Sequence, residues 1–160
     1  KLAGREDGVL IKVSKAGSIS SVVRSSAPKA LRSWTSATST LFLTGSVKSG
    51  ITSESAITKF SSAFAPTWTT RIASTGVQQA ANGPNKSFYV ALEPTAAIKG
   101  LTQTKLGKGQ SVILQFDSKG LLIAAFTSPE LSQVKSISYS QIGGLFIDSA
   151  NGIFRVGVTK

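Results

Sequence analysis

The chain has 160 residues, a formal net charge of +11 and no cysteine, histidine or methionine. That length suits one domain around a single core. The composition removes disulfides, thiolate metal sites and thiol nucleophiles, and the lack of imidazole removes the usual general base and any Ser-His-Asp triad.

Cationic residues crowd the start: Lys1, Arg5, Lys12, Lys15, Arg24, Lys29 and Arg32 stand against only Glu6 and Asp7 in the first 32 positions. Such an excess suits contact with a polyanion through its phosphates. With no methionine at position 1, we expect a processed chain whose upstream residues are more basic still. Residues 8–13 form a short apolar run with β-branched side chains, read as a first strand or as an arm that joins a neighbour's sheet. Residues 14–33 turn to Ser, Ala, Gly, Lys and Arg without a period and read as an arm or linker, with at most one helical turn at Pro28.

The body is expected to begin at Trp34. Residues 38–47 carry the β-branched and aromatic enrichment of a strand, and residues 67–75 alternate Trp68, Thr70 and Ile72 against Thr67, Thr69 and Arg71. Between them, Ile57, Phe60 and Phe64 recur at helical spacing, so residues 53–64 are the best helix candidate. A turn signal at residues 80–86 precedes a strand over residues 87–93, stopped by Pro94. Residues 110–117 and 120–127 flank a short turn and predict an antiparallel hairpin. Ser128 and Pro129 predict one helical turn over residues 128–132. Residues 133–139 read as a strand whose buried face strict alternation does not decide. Residues 144–148 and 152–158 flank Asn151-Gly152 and predict a second, stronger hairpin. Eight or nine strands at this cadence are the pattern of an all-β sandwich or barrel.

Catalytic chemistry finds little footing in these residues. Of the seven acids, Asp117 and Asp148 lie near hairpin turns, where a carboxylate bonds to the local backbone, and Glu6 with Asp7 offsets the basic leader. Calcium at subunit contacts would suit loop carboxylates, although no loop has a calcium-binding pattern. Gly107-Lys108-Gly109 lacks the spacing of a phosphate-cradling loop. Phe116, Phe126, Phe146 and Phe154 sit inside apolar strand patterns and read as core, whereas Trp34, close to Arg32, is left open as a nucleic-acid or interface contact. Ser and Thr fill 40 positions, which favours β surface suited to flat contacts between copies.

A basic amino-terminal arm, a β body with two late hairpins, few acids and no catalytic residue types together resemble the small coat proteins of icosahedral RNA viruses, of plant or satellite type. The resemblance spans the chain and lies in architecture and composition. It implies an all-β fold, an antiparallel jelly-roll sandwich of about eight strands with one or two short helices. Residues 1–33 would be the arm and residues 34–160 the shell domain. The implied function is a capsid protein, not an enzyme, that assembles with many copies of itself and packages an RNA genome by non-specific phosphate neutralisation. Its nucleic-acid contacts would be Lys1, Arg5, Lys12, Lys15, Arg24, Lys29, Arg32 and Trp34. It would reside in the virion, assembled in the host cytoplasm, with no membrane partner, no metal and no resident cofactor. The alternative is a secreted or phage-borne β-sandwich that binds carbohydrate or a host surface through exposed Trp68 or Tyr89. A third reading is a monomeric nucleic-acid-binding barrel with a platform of stacking aromatics.

Overall fold

A computed structural model describes residues 6–25, 31–101 and 107–157. Twelve strands follow one another through these residues: β1 (Gly8–Val13), β2 (Ile19–Ser25), β3 (Leu31–Ala37), β4 (Phe42–Ser49), β5 (Thr52–Phe60), β6 (Pro66–Asn82), β7 (Phe88–Pro94), β8 (Gln110–Phe116), β9 (Leu122–Ser132), β10 (Ser136–Ser140), β11 (Gly144–Ser149) and β12 (Gly152–Val156). The all-β class expected from the sequence is what the chain forms. The strands make a curled antiparallel sheet of seven, in the order β3-β4-β5-β6-β7-β8-β9, a three-stranded sheet β10-β11-β12 and a two-stranded ribbon β1-β2. A jelly roll requires Greek-key connections. Here every strand of the large sheet pairs with its neighbour in sequence, so the order is that of a meander.

β6 makes the curl. Its 17 residues pair with β5 through the first half and with β7 through the second, and the register slips between Thr75 and Gln79. A bulge adds twist and bends a strand, so β3 to β5 fold back over β7. Phe42 of β4 then stacks on Phe88 of β7 with ring centroids 3.8 Å apart, and Phe88 stacks on Phe116 of β8 at 5.3 Å. Across the fold, Thr35 donates to the Gln78 carbonyl and the Ala80 amide donates to Ser36.

β7 and β8 lie in the middle. One face of these strands, with Phe88, Val90, Leu92, Val112 and Leu114, packs into the core shared with Phe42 and Ile57. The other face, with Tyr89, Ala91 and Ile113, packs against Ile137, Leu145 and Ile147 of the three-stranded sheet. A strand buried on both faces needs an unbroken apolar run in place of alternation, which is what residues 88–92 and 112–114 provide.

Both late hairpins form, with Ile113 opposite Phe126 and Ile147 opposite Phe154. The ambiguous strand over residues 133–139 is resolved by its partner: Ile137 faces Ile147 and Tyr139 faces Leu145. Two helix expectations are corrected. Residues 53–64 fall largely in β5, which is paired along its length with β4 and β6 and buried on both faces from Ser55 to Thr58. Burial on both faces erased the alternation and left an accidental helical spacing. Residues 128–132 belong to β9, at the edge of the sheet. There β8 and β9 slip register between Gln110 and Val112, and the slipped stretch opposite includes Pro129. An edge bulge is where a strand tolerates proline.

The amino-terminal region also differs from the sequence reading. Residues 8–25 form the β1-β2 hairpin, with Ile11 opposite Val22, and β3 has joined the large sheet by Leu31. The boundary expected between residues 33 and 34 falls inside β3.

Candidate nucleic-acid interface

Strands β3 to β5 and the first half of β6 form the front sheet, and the β1-β2 ribbon lies over its outer face with a cleft of about 510 Å³ between them. The register explains the cleft. Trp34, Gly45, Ala56 and Arg71 form one row across β3, β4, β5 and β6. Of this row Ala56 and Arg71 line the cleft, whose depth comes from the short Ala56 side chain, whereas β3 closes over Gly45. Gly45 is required there: a Cβ would sit 1.8 Å from the Ser33 carbonyl oxygen, because β3 shifts register beside it.

Arg32 closes one side of the cleft and is 4% exposed. Its Nε donates to Ser25 Oγ at 3.0 Å, tying the hairpin to the body, and its Nη1 donates to the Ser33 and Ser46 carbonyls at 3.4 and 3.5 Å. The guanidinium lies 4.0 Å from the centroid of the Trp34 ring. No carboxylate among the described residues pairs with it. Burial, and secondarily the nearby Arg71 cation, lowers its pKa to about 10. A cation so placed has no countercharge among the described residues and keeps its protonated form at neutral pH.

Arg24 and Arg71 line the same cleft, with Ser25, Thr58 and Thr69 supplying hydroxyls. Thr58 and Thr69 share one hydrogen bond at 3.0 Å, in which only one of the two O–H groups donates. Arg71 meets Glu54 at 3.5 Å, and that pair is exposed on both sides. The arrangement brings guanidinium and hydroxyl groups to one cleft, and these are the donor types that oxyanions take.

The residues expected to touch nucleic acid separate into groups. Arg32 and Trp34 stack at the joint of hairpin and body, while Arg24, opposite Val9 on the outward side of the ribbon, borders the cleft at its rim. Lys12 turns back toward the body, 5.5 Å from the centroid of the Phe64 ring, and Lys15 is exposed in the turn of the hairpin. Lys1, Arg5 and Lys29 lie outside the described residues. Trp34 is engaged on its face by Arg32, and by Phe60 edge-on at 5.8 Å. Its indole N–H is buried without an acceptor among the described residues, against Gly8. The ring therefore acts as the seat of Arg32, where the sequence had left it open as a base-stacking contact.

Arg71, Ser25, Thr58 and Thr69 were missed. Alternation had placed Arg71 on the face opposite Trp68 and Ile72, but its position at the far end of the row from Trp34 depends on the pairing of three other strands. Of the aromatics considered for carbohydrate, Tyr89 is buried and Trp68 packs against Phe42 and Phe88, so neither is an open platform. Burial, then Tyr139, pushes the Tyr89 phenol up from its ordinary pKa. Asp117 has the turn role expected of it, accepting from the Lys119 and Leu121 amides at 2.8 and 2.9 Å, whereas Asp148 lies within β11. No three acidic side chains among the described residues converge to hold a metal, calcium included. No protein-family model matches the chain, and no curated protein matches its sequence.

Proposed function

We propose that this chain is a structural, RNA-binding coat protein, which assembles with copies of itself and neutralises RNA phosphates through its basic amino-terminal region. The observation that carries the reading is that Arg32 and Arg71 line one cleft at the joint of hairpin and body, with Arg24 on its rim and Glu54 as the carboxylate paired there among the described residues. Salt-dependent affinity with little base preference is the behaviour of such a surface. Self-association is supported by the hairpin itself. Val9, Ile11, Val13, Ile19 and Val22 share its outward face and are each about half exposed or more. A two-stranded ribbon is marginal alone in water, and an aliphatic row of this kind suits burial against another subunit. The reading does not depend on a Greek-key order, since a subunit wall needs only a hydrogen-bonded layer covered on both faces.

Two measurements test it. Electron microscopy of the purified chain should show closed particles, because symmetric closure uses every interface; a monomer at high concentration overturns the assembly reading. Binding to single-stranded RNA should weaken steeply with salt, and neutralising Lys12, Lys15 and Arg24 together should flatten that slope. An unchanged slope removes these residues from RNA binding.

A further inference from the structure

We infer that the cleft between the β1-β2 hairpin and the front sheet is a discrete oxyanion site that seats one phosphate group per chain and clamps the hairpin onto the body. The inference rests on the RNA-binding reading for its ligand, a backbone phosphodiester, but the site is built from its own geometry.

Three features separate this cleft from scattered surface charge. Arg32 is a 96% buried cation that no carboxylate of the described residues pairs with. Isolated buried charge is costly, and a bound anion would relieve that cost. Two hydroxyl donors beside it remain over. Ser25 Oγ accepts from Arg32 Nε and keeps its own O–H to give, and the mutual bond of Thr58 and Thr69 leaves one of their two O–H groups over. The lining also comes from two bodies: Arg24 and Ser25 belong to the hairpin, whereas Arg32, Thr58, Thr69 and Arg71 belong to the sheet. An anion that accepts from both sides is therefore a bridge, and it adds to the Arg32–Ser25 bond that already joins them.

Glu54 has a defined part in this arrangement. Its carboxylate holds Arg71 at 3.5 Å and competes with an incoming phosphate for the same guanidinium. Glu54→Gln removes the competitor and leaves the donors in place.

The test is calorimetric titration of the full chain with inorganic phosphate, paired with hydrogen-exchange mass spectrometry. One site per chain is expected, with exchange slowed across β1, β2 and the Thr58–Thr69 segment. R71Q and R24Q, both on the accessible rim, should each weaken phosphate at least about tenfold, and E54Q should tighten it severalfold. Absence of a saturable site, slowing spread over distant lysines such as Lys119 and Lys135, or unchanged affinity in both arginine variants overturns the inference. Titration with an oligouridylate separates this outcome from the function. If phosphate seats in the cleft and the oligomer binds no tighter than phosphate, the site stands and the RNA reading falls. If the oligomer binds tightly and R71Q and R24Q leave it unchanged, the RNA reading stands and the cleft inference falls.

Discussion

The β7-β8 layer and the β1-β2 hairpin are both apolar antiparallel pairs, yet they stand at opposite ends of burial. In β7 the run from Phe88 to Leu92 is buried without a break, with one core on each face. In the hairpin five aliphatic side chains face outward, and described attachments to the body include the bridge of Glu6 to Leu31 and the Arg32–Ser25 bond. The difference places stability in the β7-β8 wall and makes the hairpin the element that opens at lower cost, since it is held by fewer buried contacts.

The comparison breaks most sharply at Phe88. Phe88→Ala removes a ring stacked on both Phe42 and Phe116 and should cost about 3–5 kcal/mol in urea denaturation. A loss no larger than a surface substitution gives would mean that the wall does not carry the fold. Gly45→Val comes next, with an expected cost of about 1–3 kcal/mol. The added atoms collide with the Ser33 carbonyl, so β3 must move, and faster amide exchange should follow in β3 and the hairpin while β7 and β8 stay protected.

Arg32→Met sharpens the contrast in the other direction. Replacing a buried cation that no described carboxylate pairs with by a side chain of similar length should leave stability neutral or raise it by about 1 kcal/mol, even though it takes away one side of the cleft. The pH dependence has a definite sign. The pKa of Arg32 is lowered in the folded chain to about 10, so between there and the ordinary arginine range the unfolded chain binds more protons, and native stability rises with pH. The penalty is fully present below about pH 10. Relative to R32M, the wild type should therefore gain stability across that alkaline window, and a parallel course of the two curves would show that Arg32 is not desolvated. The smallest effect belongs to Ile11→Thr on the outward face of the hairpin, about 0.5 kcal/mol or less for the monomer. The same change should shift self-association measured by sedimentation, and no shift would remove this face from the contact between copies.

Much of the sheet was legible because its causes are local. Asn151-Gly152 announces the last hairpin, and Gly152 adopts a φ of +133° there. The continuous apolar runs at residues 88–92 and 112–114 mark strands that must be covered on both sides. The errors arose where pairing overrides local pattern. Residues 53–64 look helical until β4 and β6 are seen on either side, and Pro129 looks like a helix start until its place in a bulged edge strand is known. The site was legible in part: its positive charge is visible in Arg24 and Arg32, while Arg71 lies 39 residues beyond Arg32 in the chain.

The sequence by itself determined the all-β class, the two late hairpins and the concentration of positive charge at the start, since turn chemistry, strand propensity and net charge are properties of neighbouring residues. Only the tertiary structure decided that the order is a meander bent at β6, that residues 8–25 form a hairpin over the front sheet, and that Trp34, Gly45, Ala56 and Arg71 share a row. Strand register decides these features, and a shift of one residue would turn every side chain to the other face. A cleft floored by the short side chain of Ala56 therefore exists only once the strands around it are paired.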